Sequence, residues 1–179
     1  MCRLAATLVQ DGDVIMLDAS TTVLPLAAAL ADKDQLTVVT NGLKVAQVLS
    51  ENAHIQAFVT GGRILHSSLA FVGNGACEFV SSFHADVIFF SSSSLDYEGQ
   101  ITDYSEDETV LRRTMFRHAA RRVFLCDSSK VGRSSAFRLG SLADMDAVIT
   151  DGPLPETMSD LSLFEAEYGD GAILYRKKK

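Results

Sequence analysis

The sequence predicts an α/β protein, a mostly parallel sheet with flanking helices. Three observations carry the prediction. Short β-rich runs alternate with helical ones along the chain. The first strand candidate, Val14–Leu17, is a continuous apolar run entered from the turn Asp11-Gly12-Asp13, the pattern of a strand covered on both faces. Strand after strand then ends in a small or polar cluster, and in an open parallel sheet those ends share one edge where ligands bind.

Taken in order, Ser20-Thr21-Thr22 opens a helix over 23–30, whose apolar residues are Val23, Leu26, Ala27 and Leu30. Leu36–Thr40 is the second strand, and Asn41-Gly42 leads into a helix over 43–49. Ile55–Thr60 is the third strand, ending at Gly61-Gly62. A less regular stretch with Ser67, Ser68 and Gly73 precedes a helix over 75–82. Ala85–Phe90 is the fourth strand and runs into Ser91–Ser94; an irregular loop through Gly99 and Thr102 enters a helix over 106–119. Arg122–Cys126, Ala147–Thr150 and Ala172–Tyr175 complete the strands. With no internal repeat and no low-complexity linker, the expectation is one domain over residues 1–179.

Composition narrows the function classes. At 47% hydrophobic and 22% charged, the chain is ordinary globular material. Its apolar runs are too short to span a bilayer and no secretory signal precedes the first strand, so the expectation is a cytoplasmic protein without a membrane partner. The formal net charge is -7, and the one basic run is Arg176-Lys177-Lys178-Lys179, read as a solvated end. A chain of this charge repels duplex DNA. Cys2, Cys77 and Cys126 form no CxxC pair and no metal pattern with His54, His66, His84 or His118; they read as reduced thiols, with Cys77 and Cys126 in or near the core. Neither a metal site nor a cofactor motif is expected: there is no P-loop, no dinucleotide fingerprint and no nucleophile elbow.

The polar strand ends are the candidate site. Ser20, Thr21 and Thr22 at a helix start offer hydroxyls and unbonded N–H groups to a phosphate, or simply cap the helix. Asp18 before them supplies a carboxylate suited to a sugar hydroxyl. Thr40-Asn41 either caps the next helix or contacts a ligand, and Gly61-Gly62 either lets a ligand approach the backbone or makes a turn. Asp103, Glu106 and Glu108 surround a helix start, where the dipole favours acids whether or not a ligand is present. Lys130, in Asp127-Ser128-Ser129-Lys130, can neutralise a phosphate or pair with one of those acids. Ser92, Ser93 and Ser94 add hydrogen-bonding groups. The five clusters, after the first, second, third, fourth and fifth strands, are expected to converge on one ligand.

Seven stretches, in order, resemble the effector-sensing domain of DeoR-type bacterial transcriptional regulators. They are residues 11–22 (DGDVIMLDASTT), 36–49 (LTVVTNGLKVAQVL), Gly61-Gly62 with 68–73 (SLAFVG), 83–90 (FHADVIFF), the Gly99…Thr102…Glu106…Glu108 spacing, 120–133 (ARRVFLCDSSKVGR) and 142–151 (LADMDAVITD). The resemblance implies a Rossmann-like sheet, similar to ribose-5-phosphate isomerase, that binds a phosphorylated sugar or related metabolite. It also implies a homo-oligomer, and operator DNA bound only through an N-terminal winged helix-turn-helix that this chain does not include. The sequence departs from the family after the fourth strand. Ser91–Ser94 replaces a Gly-(Ala/Cys)-Asp-Gly-like stretch, and Ser93 takes the usual aspartate position. A serine hydroxyl is no general base near neutral pH without an activating partner. The expectation is therefore a non-enzymatic sensor; a sugar-phosphate isomerase and an empty oligomerisation module are the other readings.

Overall fold

The computed structural model describes residues 1–178. Its centre is an eight-stranded sheet built from β1 (Val14–Leu17), β2 (Thr37–Thr40), β3 (Gln56–Val59), β6 (Ala85–Phe90), β9 (Ala119–Cys126), β11 (Ala147–Thr150), β12 (Phe164–Gly169) and β13 (Ala172–Lys177). The spatial order is β12-β13-β11-β9-β6-β1-β2-β3. The six strands from β11 to β3 are parallel, and β13 and β12 are added antiparallel. The predicted mostly parallel sheet is thus present, with strands at every predicted position.

The apolar runs alternate between two faces, and helices cover both. Ile15, Leu17, Val38, Val87, Phe89, Leu125 and Ile149 pack with residues of α1 (Cys2–Ala6), α2 (Leu24–Ala29) and α3 (Leu43–Leu49). Met16, Val39, Ile88, Phe90, Phe124 and Val148 pack on the other side, with α4 (Asn74–Ser81) and α5 (Glu106–Arg117). Burial on both faces is why these strands read as continuous hydrophobic runs. Phe90 anchors the second face, stacked on Phe124 at 5.1 Å and edge-on to Phe116 at 4.6 Å.

Several elements escape the sequence pattern. The irregular stretch after Gly62 is a hairpin of β4 (Arg63–Leu65) and β5 (Ala70–Val72). The loop after β6 forms a small antiparallel sheet of β7 (Ser94–Leu95), β8 (Gln100–Asp103) and β10 (Phe137–Ser141). These strands are two to five residues long and pair across loops, so no single segment carries their period. The helix expected over 106–119 ends at Arg117, and β9 starts at Ala119, before the apolar stretch that marked it. The basic tail is tied to the fold although Arg176 and Lys178 are exposed: Lys177 belongs to β13 and its Nζ donates to the Ala143 carbonyl, while Lys178 bonds the carbonyls of Leu163 and Ser162. Lys179 lies outside the described residues. Cys126 is buried, Cys2 and Cys77 are half-buried, and all three are free; burial pushes the Cys126 thiol up to about 12.

The strand order places the site. The chain proceeds from β1 outward to β2 and β3, then returns to lay β6 on the other side of β1. The β1–β6 boundary is therefore the topological switch point, where the connections leave in opposite directions and a crevice opens at the carboxyl ends.

Candidate functional site

At that crevice the Asp18 N–H donates to the Phe89 carbonyl, extending the β1–β6 pairing one residue past β1. The residues after β1 then form a turn rather than the expected helix start. Ser20 donates its N–H (3.1 Å) and Oγ (2.6 Å) to Asp18 Oδ1, and its Oγ receives the Val23 N–H at 3.3 Å. The helix begins only at Leu24 and has six residues, so its dipole adds little to the loop. The N–H groups of Thr21 and Thr22 have no acceptor among the described residues.

A cavity of about 290 Å³ opens here, lined by residues 19–22 after β1, Ser67 and Ser68 at the hairpin tip, and Ser92 and Ser93 after β6. Asp103, Glu108, Arg112 and Lys130 complete the wall. Arg112 lies at its base. Its side chain, 6% exposed, donates Nε to Asp18 (2.7 Å), Nη1 to Asp103 (2.5 Å) and Nη2 to Glu108 (3.3 Å). One guanidinium thus collects carboxylates from three elements, using its planar fork. Burial opposes the charge on Arg112, but the adjacent Asp18, Asp103 and Glu108 outweigh it and hold the guanidinium above its ordinary range.

Lys130 is the second cation of the wall. Its Nζ donates to Thr22 Oγ1 and Ser91 Oγ, both at 2.7 Å, and lies 3.0 Å from Asp127 Oδ2. Partial burial acts against ionisation of Asp127, yet hydrogen bonds from Ser129 and Lys130 prevail and keep its carboxyl below the ordinary value. The ammonium has one counter-charge in contact, whereas the guanidinium has three.

The predicted site residues divide accordingly. Ser20, Thr21, Thr22, Ser92, Ser93, Asp103, Glu108 and Lys130 line the cavity together. Asp18 does not: it is fully buried behind the wall, with Oδ2 also accepting from the Ser91 N–H at 3.3 Å. The clusters after β2 and β3 do not reach the cavity directly. Thr40 Oγ1 accepts from the Gly42 N–H, and Asn41 clasps β5, its carbonyl accepting from the Phe71 N–H and its Nδ2 donating to the Phe71 carbonyl. Gly61 and Gly62 turn the chain into the hairpin with φ of 63° and 106°, and a Cβ on Gly62 would stand 2.7 Å from the Val72 carbonyl oxygen. Ser94 pairs with Ser135 at 2.5 Å in the small sheet, and Glu106 is exposed in the first turn of α5. Of the five converging clusters, three form the cavity and two hold the hairpin whose tip closes it.

Sequence reasoning passes over Arg112, Ser67 and Ser68. Arg112 does leave a trace. It stands four residues after Glu108 and shares the buried stripe of α5 with Leu111 and Met115. An arginine on such a stripe needs acid partners.

Glu108 is the odd member of the wall. Burial pushes its carboxyl up, more than the adjacent Arg112 brings it down, while Asp103 and Asp18 push it further and the Ser68 hydroxyl lowers it slightly. A group whose folded pKa is raised supports the fold fully below its unfolded value and loses that contribution as pH rises through the folded value. Glu108→Gln is therefore expected to melt at or above the wild-type temperature at neutral pH, with the difference vanishing on acidification below the ordinary carboxylate range. Melting curves of both proteins across that range check this. A variant several degrees less stable at neutral pH would show that the Arg112 contact outweighs desolvation.

No helix among the described residues is long and apolar enough to cross a membrane, and no cluster of three His, Cys, Asp or Glu residues is arranged to hold a metal ion. Residues 1–152 match the family model described as the DeoR C terminal sensor domain. Over 171 residues the chain is 36% identical to the uncharacterized HTH-type transcriptional regulator YgbI of Escherichia coli K12, covering 92% of this chain and 67% of that protein. Over 149 residues it is 36% identical to the HTH-type transcriptional repressor GlcR of Bacillus subtilis, covering 83% of this chain and 57% of GlcR. The chain thus spans little more than half the length of GlcR. Among solved structures, the fold is similar to ribose 5 phosphate isomerase A from Neisseria gonorrhoeae, with a TM-score of 0.51, 13% identity, and coverage of 74% of this chain and 51% of the isomerase. By the match over residues 1–152, this chain belongs to the DeoR family of transcriptional regulators and carries its C-terminal sensor domain.

Proposed function

We propose that the cavity binds a phosphorylated sugar or related metabolite and holds it without transforming it. Lys130 carries this reading. It is the cavity-lining cation with a single carboxylate in contact, and Thr22 and Ser91 hold it beside the unbonded N–H groups of Thr21 and Thr22. An ammonium with adjacent N–H and hydroxyl donors suits a phosphate, which offers several strong acceptor oxygens. The acidic wall opposite suits the donor groups of the remaining ligand.

The chain then acts as the effector-responsive part of a regulator whose operator-binding module lies outside it. Ligand binding favours one arrangement of a homo-oligomer, and that arrangement sets the spacing of the DNA-binding modules. The name of GlcR supports repression as the sign of regulation. Titration calorimetry with sugar phosphates and the corresponding free sugars tests the ligand class. Binding that requires the phosphate supports the reading; equal binding of the free sugars sinks it.

Glu108 favours a second reading, an isomerase. A buried cavity carboxyl with a raised pKa is suited to proton transfer. Against it, Asp18 and Asp103 are both committed to Arg112, including the Asp103 carboxylate that accepts from Ser93 Oγ at 2.6 Å. Turnover of ribose 5-phosphate by the purified chain would establish the enzymatic reading.

A further inference from the structure

Thr22 has two attachments that lead to different parts of the molecule. Its Oγ1 accepts from Lys130 Nζ at 2.7 Å, and its carbonyl accepts from the Cys2 thiol of α1 at 3.2 Å. Burial pushes the Cys2 thiol up, which keeps it protonated and a donor at neutral pH. A second cavity, of about 410 Å³, is lined by Met1, Cys2, Thr21, Thr22, Pro25 and Asp127. Thr21 and Thr22 therefore line both cavities, and Asp127, the counter-charge of Lys130, reaches the second as well.

A loop that borders two cavities and leaves its own N–H groups unbonded has few contacts to fix it, and the Cys2 thiol supplies one of them. That contact has a firm base. Ala5 and Ala6 of α1 are buried against Val23, Leu26 and Ala27, and α2 starts only two residues after Thr22. A phosphate bound to the N–H groups of Thr21 and Thr22 and to the Lys130 ammonium restrains the same residue whose carbonyl receives the thiol. Each restraint lowers the ordering cost of the other, and such coupling acts equally in both directions.

Resting on the phosphate reading above, we infer that Cys2 is a positioning residue for the effector loop, and that through it α1 senses whether the cavity is occupied. The matched family model describes a C-terminal sensor domain, so in that reading the operator-binding module precedes the sensor and is joined to it through α1. Occupancy of the cavity then reaches that module by way of Thr22 and Cys2.

Alkylation of the 179-residue chain by iodoacetamide, followed by peptide mapping, reads the contact at Cys2, with half-buried Cys77 on α4 as the internal reference. Inorganic phosphate and ribose 5-phosphate are the probes, and chloride at matched ionic strength is the blank. Saturation with a probe that calorimetry shows to bind is expected to slow Cys2 alkylation about fivefold and leave Cys77 unchanged, a coupling at the low end of the usual range. By reciprocity, Cys2→Ala should weaken binding by the same factor, and Cys2→Ser, which keeps a donor, should recover part of the loss; melting curves check that both variants fold. Lys130→Ala should abolish the protection together with binding. Unchanged Cys2 alkylation in protein that binds the probe, or Cys2→Ala binding as tightly as the wild type, would overturn the inference and leave the phosphate reading intact. Protection that persists in Lys130→Ala would put the anion in the second cavity beside Cys2 and overturn it too. If neither probe binds the wild type, the phosphate reading falls and this inference with it.

Discussion

Arg112→Met is expected to lower the unfolding free energy by about 3–5 kcal/mol, the usual cost of removing one partner from a buried ion pair. Methionine retains much of the apolar stem, so the loss is mainly electrostatic. Asp18, Asp103 and Glu108 would be left in a wall that is nearly closed to water, with no opposite charge in contact. Arg112→Lys should recover only part of the loss. A point ammonium cannot reproduce three bonds made by separate guanidinium nitrogens to three carboxylates. Urea unfolding followed by circular dichroism measures the change. Adding Asp18→Asn to Arg112→Met should restore a portion of the stability, since it removes one of the stranded charges. A deficit below about 1 kcal/mol would show that the carboxylates find protons or water at small cost, and the cluster would then not be what fixes the cavity base.

Lys130→Ala should act on binding instead. A hydrogen bond to a charged group contributes about 1.5–3 kcal/mol, so loss of the ammonium is expected to weaken a phosphorylated ligand by about 10- to 100-fold or more. Unphosphorylated analogues should be affected far less. The variant also removes donors from Thr22 and Ser91, but Thr22 is half-exposed and its hydroxyl can turn to water. The melting temperature without ligand should therefore change little, while the ligand-induced rise in melting temperature disappears. An unchanged affinity for sugar phosphates would remove Lys130 from the site and with it the main support for phosphate binding there.

The two substitutions separate the two cations of one cavity wall. A surplus of carboxylates locks the guanidinium into the fold. The lysine has one counter-charge and stands next to unused backbone donors.

Much of this was legible in the sequence. Continuous apolar runs at Val14–Leu17 and Ala85–Phe90, each followed by a polar cluster, predict parallel strands buried on both faces with their carboxyl ends at a common edge. Those features depend on residues adjacent in the chain, so local pattern suffices. The order of motifs from Asp11 to Asp151 was enough to indicate the family, and the family match over residues 1–152 agrees with it.

Tertiary structure decided which polar strand ends share the cavity. Thr40-Asn41 and Gly61-Gly62 look as suited to a ligand as Ser92-Ser93, but β2 and β3 lie on the far side of β1 from β6, so their loops serve the hairpin instead. The same folding converted Asp18 from a presumed ligand contact into a buried partner of Arg112, 94 residues away. It brought Ser68, Glu108 and Lys130 to one cavity from a hairpin, a helix and a strand end. Periodicity and propensity act over a few residues, whereas a charge cluster is selected by closure of the whole sheet, where every buried carboxylate must meet its counter-charge. The sequence by itself determined the sheet, its covering helices and the loop at Asp18–Thr22; only the closed fold determined that Arg112 anchors this site, because its three carboxylate partners come from distant segments.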